Sequence, residues 1–122
     1  MRTLRPLLMV LLLLTLSACG EKPQELPHGI LGRWVTDADG YADRYFILSE
    51  SAVVFATGEG NFTVHLITRV ETYMQNANSC YLIHYKNDEG QNQALSLCYN
   101  DSREEIRFQN QARIAWKKYI SS

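Results

Sequence analysis

The stretch CYLIHYKNDEGQNQALSLC, residues 80–98, decides how this chain folds. Apolar and polar side chains alternate on both sides of Asp88-Glu89-Gly90, the period-two pattern of half-buried strands. Those three residues form a loop with glycine at the left-handed position, and the hairpin closes on Asn87 and Gln91. The resulting register pairs Tyr81 with Leu97 and Ile83 with Leu95, and sets Cys80 directly opposite Cys98. An odd number of steps separates the cysteines from the hydrogen-bonded closing pair, so theirs is a non-hydrogen-bonded pair. At such pairs Cα atoms come within roughly 4.5 Å, and a disulfide spans about 4.4–6.8 Å. A structural Cys80–Cys98 bond is therefore expected, enclosing a loop of about 19 residues and contributing roughly 3 kcal/mol in the chain-entropy account. A metal pair or a redox couple is the alternative. The spacing is not Cys-x-x-Cys, and no histidine falls beside the pair.

The same alternation runs outward in both directions from Arg33 onward, and no stretch sustains a helical stripe. Asp39-Gly40, read as a two-residue turn, pairs Trp34 with Tyr45. Ser49-Glu50-Ser51 then sets Ile47 against Val53 and Tyr45 against Phe55. Glu59-Gly60 places Phe55 against Val64 and Val53 against Leu66. In the longest strand, Thr63 to Met74, one face carries Val64, Leu66, Thr68, Val70 and Met74. Asn76-Ala77 pairs Val70 with Ile83 and Thr68 with Tyr85. Asp101-Ser102 pairs Leu97 with Ile106 and Leu95 with Phe108, and a last turn near Asn110-Gln111 leads to Ile114 and Trp116. A one-residue slip would turn a strand inside out, so the mutual agreement of these turns predicts an all-β, up-and-down antiparallel meander of about eight strands. Closure into a small barrel removes the open edges. An open or sandwiched sheet is the alternative.

Arg2 and Arg5 precede an apolar run from Leu7 to Leu16, ending at Leu16-Ser17-Ala18-Cys19. A basic start, a short apolar run and small residues at the cut site make a secretory signal, and the run is shorter than the 20 or so residues needed to span a bilayer. The cysteine after Leu-Ser-Ala resembles the lipobox of bacterial lipoproteins, which implies cleavage before Cys19, acylation there and an oxidising compartment. Gly20, rather than aspartate, resembles the signal that sorts such proteins to the outer membrane, facing the periplasm. Residues 1–18 are thus read as signal, 19–28 as a lipidated tether with Pro23 and Pro27, and 29–122 as one domain. The mature chain keeps ten basic and thirteen acidic residues, a side-chain charge of −3. That balance argues against nucleic acid as a partner.

Residues with catalytic or metal chemistry do not converge. His65 and His84 are expected on the outside of adjacent strands, with His84 opposite Arg69 and His65 beside Val54. Asp37, Asp39 and Asp43 surround the first turn but lack the alternating ligand series of a calcium loop, and turn-capping explains them. No serine has a histidine and an acid placed to activate it. The reading is a protein without enzymatic activity, cofactor or metal. Arg103, Arg107, Arg113, Lys117 and Lys118 gather near the C-terminus, interleaved with Glu104 and Glu105.

Gly32-Arg33-Trp34 resembles the glycine-x-tryptophan opening of lipocalins, an eight-stranded barrel family in which a late basic residue packs over the tryptophan; Arg113 would serve. The general plan, a lipid-anchored small barrel with a disulfide, also resembles the membrane-bound inhibitors of c-type lysozyme. Those families imply a carrier of a small apolar ligand and an inhibitor of a cell-wall hydrolase. The inward side chains expected are Trp34, Tyr45, Phe55, Tyr81, Tyr85, Tyr99, Phe108 and Trp116. An eight-stranded barrel is just wide enough to be filled by such volume, so a filled core is expected. On the outside, Phe46 pairs with Val54, and Leu48 with Ala52, which in turn pairs with Ile67. This apolar patch of Phe46, Leu48, Val54 and Ile67 reads as a contact surface for an envelope protein, or as a face covered by Leu26, Ile30 and Leu31. A binding or scaffold module is the principal reading.

Overall fold

The computed structural model describes residues 25–58 and 60–120, so the expected signal segment, Cys19 and most of the expected tether lie outside it. Eight strands follow one another: β1 (Gly32–Val35), β2 (Tyr45–Leu48), β3 (Ala52–Gly58), β4 (Asn61–Gln75), β5 (Asn78–Lys86), β6 (Asn92–Asn100), β7 (Glu105–Phe108) and β8 (Trp116–Lys118). Each pairs antiparallel with the next, and β8 returns to β1, closing the barrel. The open-sheet alternative is excluded. Connections β1–β2, β3–β4, β5–β6 and β7–β8 lie at one end, here the mouth. The other three turns, the segment leading into β1 and the residues after β8 lie at the opposite, closed end.

The β5–β6 hairpin has the register read from its loop: Tyr81↔Leu97, Ile83↔Leu95 and Cys80↔Cys98. The disulfide joins Cys80 to Cys98 with Cα atoms 4.0 Å apart. In the β6–β7 hairpin the loop is two residues longer than expected, giving Leu97↔Phe108 and Tyr99↔Ile106. An even shift preserves which face is buried, so Ile106 and Phe108 still point inward.

Odd shifts had larger consequences. The β1–β2 connection is not a tight Asp39-Gly40 hairpin. It runs from Thr36 to Arg44 through two successive turns, Tyr41 N to Ala38 O and Arg44 N to Tyr41 O. Trp34 therefore pairs with Phe46 rather than Tyr45. In the β2–β3 turn the Ser49 hydroxyl accepts from Ala52 N at 3.0 Å, tightening the loop to Glu50-Ser51 and setting Leu48 against Val53. Both shifts turn β2 over: Phe46 and Leu48 are each 1% exposed in the core, while Tyr45 and Ile47 face out. A bulge at Thr57 moves β3 on β4 by one, and a second at Thr68 moves β4 on β5 back. Between the bulges Thr63, His65 and Ile67 point inward, and Phe62, Val64 and Leu66 point outward. Beyond Thr68 the expected pairing Val70↔Ile83 holds.

The filled core is real. Trp34, Phe46, Ile30, Leu48, Ile83, Leu97, Ile106 and Val53 are all essentially inaccessible. Leu26 and Ile30 belong to the same buried cluster as Trp34. They close one end of the barrel instead of covering an outer face, and the folded part thus begins at least three residues before the expected Gly29. The indole of Trp34 donates to Ile30 O at 2.9 Å. Gly32 sits at φ 131°, and a Cβ there would meet Lys118 Cε at 3.0 Å. Its bare backbone lets Lys118 cross to Gly29 O, 3.1 Å away.

The corrected register makes a direct prediction. Phe46→Ala should cost about 3–5 kcal/mol, as for a large aromatic removed from a core, whereas Val64→Ala should change stability by no more than about 0.5 kcal/mol. Urea unfolding of the two variants checks this; the reverse order would restore the expected outward Phe46.

Candidate functional site

The contact patch expected from sequence is not assembled. Phe46 and Leu48 are core residues, Ile67 is packed against the core from inside, and Val54 alone keeps an outward, half-buried position. The physical cause is the pair of odd register shifts at β2, joined by the bulge at Thr68, because each reverses the face a strand presents. An outer apolar surface exists all the same, built from different residues of the same strands. Phe62, Val64 and Leu66 on β4 are 63%, 48% and 65% exposed. Their partners across the ladder are Ala56, Val54 and Ala52, and Val54 in turn pairs with Ile47. β3 pairs with β4 along the whole stripe, whereas β5 joins β4 only from Leu66 onward, so among the described residues Phe62 and Val64 stand where β4 has a strand partner on one side alone. The turn signals place Val64 and Leu66 inward and leave Phe62 outside the strand; the bulge positions reverse the first two.

At the mouth the stripe meets a cup. Tyr45 pairs with Ala56 and Ala56 with Phe62, and Tyr45 and Ala56 also line a depression of about 260 Å³. Its floor is aromatic: Phe46 lies 5.0 Å from Phe108 and 5.1 Å from Trp116, ring centre to ring centre. Its rim is polar. The Arg44 guanidinium stands 5.1 Å over the Tyr41 ring, and Gln111 Nε2 donates to the Tyr41 hydroxyl at 3.3 Å. Below the floor the Trp116 indole N–H is buried without an acceptor among the described residues. Pockets for drug-sized ligands measure about 300–1,000 Å³, so this cup accommodates one side chain or a small fragment.

The histidines separate. His65 is turned inward by the bulges, against expectation, between Phe55 at 5.8 Å and Tyr85 at 4.9 Å. His84 does face Arg69. Its Nε2 lies 2.7 Å from Glu71 Oε2 and 3.2 Å from Arg69. The hydrogen bond from His84, then the charge of Arg69, lower the Glu71 carboxyl below its ordinary range. Among the described residues no group of three or more His, Cys, Asp or Glu is placed to hold a metal ion. Over Trp34 stands Lys118, its Nζ 5.9 Å from the ring centre. Arg113, expected in that place, is exposed between the 3₁₀ turn Gln109–Gln111 and β8.

One carboxylate is buried on the seam between β7 and β8. Glu105, 6% exposed, accepts from Arg107 Nε and Lys117 Nζ, each at 3.1 Å. Arg107 also donates to Ala112 O and Lys117 to Arg103 O, which ties both neighbouring loops to this point. Burial pushes the Glu105 carboxyl up, but the hydrogen bonds from Lys117 and Arg107 more than offset it, and the net effect is downward from 4.5. A folded pKa below the unfolded one stabilises the fold above the unfolded value, and that contribution is lost as pH falls through the folded one. The melting temperature should therefore drop more steeply on acidification below the ordinary glutamate range than in Glu105→Gln. Parallel acid profiles for the two proteins would remove Glu105 as the cause.

Comparison with family models, curated proteins and solved structures finds no match to this chain.

Proposed function

We propose that this chain is a lipid-anchored protein of the bacterial outer membrane, acylated at Cys19 and facing the periplasm, whose barrel serves as a binding or scaffold module for an envelope protein. The lipobox supports the anchor. The stripe of Phe62, Val64 and Leu66 carries the binding reading, because a contiguous exposed apolar surface of this kind marks a contact site. The cup at the mouth adjoins the stripe and would receive one side chain of the partner. A filled interior and a cup of that size disfavour the carrier alternative, and no geometric feature favours an inhibitor of a wall hydrolase.

Two experiments test the proposal. Cys19→Ala should leave the precursor uncleaved by the lipoprotein peptidase and unlabelled by palmitate; normal labelling would refute the anchor. Val64→Lys combined with Leu66→Lys places charges on exposed positions, where stability should move by no more than about 0.5 kcal/mol. A photo-crosslinker replacing Phe62 in intact cells should capture a discrete protein in the parent and lose it in the double variant. The same crosslinked product in both would mean that the stripe is not the contact.

A further inference from the structure

Leu26 and Ile30 fix where the chain enters the barrel, and that point constrains how an anchored barrel sits. Both are buried with Trp34, and the 3₁₀ turn His28–Ile30 lies against the closed end. His28 Nε2 is 3.9 Å from Glu50 of the β2–β3 turn, and Lys118 Nζ bonds Gly29 O. A ten-residue tether was expected; only the six residues Gly20 to Glu25 separate Cys19 from the buried Leu26. Fully extended, that length of chain reaches at most about 25 Å. A nine-residue strand such as β5 is itself about 30 Å long. Strands in a closed barrel tilt by roughly 35–45°, so its axial height is about 20–25 Å; the tether only matches that height at full stretch, and any slack in it brings Cys19 toward the closed end.

The closed end also carries exposed apolar side chains. Ile120 is 82% exposed and Tyr119 50% where the chain leaves β8, and Met74 is 66% exposed near the tip of the β4–β5 hairpin. Arg33, Arg103, Lys117 and Lys118 at this end are balanced by Glu50, Asp101, Glu104 and Glu105, so an anionic surface would gain little there. Tyrosine favours the headgroup boundary and aliphatic side chains the acyl region beneath it, whatever the charge of the bilayer.

Resting on the lipid anchor of the proposed function, we infer that the closed end, with Met74, Tyr119 and Ile120, lies against the lipid surface that holds Cys19. The mouth then opens away from the membrane, and the β4 stripe faces sideways, clear of lipid. A partner reaches the stripe laterally, within one barrel length of the bilayer. The contact is interfacial and depends little on salt.

The test uses the lipidated full-length protein in phosphatidylcholine vesicles containing a headgroup nitroxide lipid. A fluorophore is attached at a single introduced cysteine, in Ser102→Cys at the closed end, Leu66→Cys on the stripe or Glu89→Cys at the mouth. Quenching should be several times stronger at Ser102 than at Glu89, with Leu66 between them, and should persist at high salt. A ten-residue Gly-Ser insertion after Gly20 should flatten the three values, and Ile120→Asp should weaken quenching at Ser102. Protein that fails to float with the vesicles overturns the anchor, and this orientation with it. Floating protein with Glu89 quenched as strongly as Ser102 overturns the orientation alone. Strongest quenching at Leu66 would mean that the barrel lies on its stripe, making lipid and not protein the occupant of that face.

Discussion

Trp34↔Lys118 and Val35↔Lys117 are the two register pairs, among the described residues, that join β8 to β1 and so close the sheet. The seam is short, and further backbone and side-chain bonds complete it. Tyr119 N donates to Arg33 O at 2.8 Å, and the Thr36 hydroxyl donates to Ala115 O at 2.8 Å. Lys118 crosses the bare backbone of Gly32 to reach Gly29. On the far side of β8 the buried Glu105 holds Lys117 and Arg107. Opening this seam would expose two unpaired strand edges, and it would uncover Trp34 and Trp116 together. Removing a single partner of a buried charge is costlier than never having built the pair, which makes Glu105 a point where closure is sensitive to pH.

Closure also decides which surfaces remain for function. With eight strands the interior is just filled, so aromatic volume that might have walled a ligand cavity instead forms a solid core. What remains concave is the shallow cup at the mouth, floored by Phe46, Phe108 and Trp116. Apolar surface remains outside as the β4 stripe and, at the closed end, as Met74, Tyr119 and Ile120. The bulges at Thr57 on β3 and Thr68 on β4 produce the stripe, because between them the first half of β4 presents the reversed face. Without them Val64 and Leu66 would lie inside and His65 outside. The stripe and the cup meet along Tyr45, Ala56 and Phe62, so one partner can use both.

The segment before β1 has a double role. Leu26 and Ile30 supply core volume at the closed end, where the Trp34 indole needs an acceptor and finds it in Ile30 O. The same packing shortens the chain left between the proposed anchor and the barrel. A contact that reads as ordinary core filling thus limits how the proposed anchor can present the domain.

The sequence alone determined the fold class and the disulfide. Both rest on local signals: period-two alternation, and a glycine-closed loop midway between Cys80 and Cys98. Leu16-Ser17-Ala18-Cys19, on whose resemblance to a lipobox the proposed anchor rests, is likewise a local signal that needs no tertiary contact to be read. The face of β2 and of the first half of β4 was not legible, because it hangs on single-residue events. The Ser49 hydroxyl takes a backbone N–H, Thr36 bonds across to Ala115, and Thr57 and Thr68 drop out of the ladder. None of these residues differs in type from neighbours that stay in register. Apolar residues also stand at consecutive positions there, Tyr45 to Leu48 and Val53 to Ala56, so either face could have been buried. Tertiary closure chose between them. The barrel needed Phe46 and Leu48 to meet Trp34, Val53 and Trp116 across its interior, and that packing outweighed the turn signals, leaving Val64 and Leu66 to the solvent.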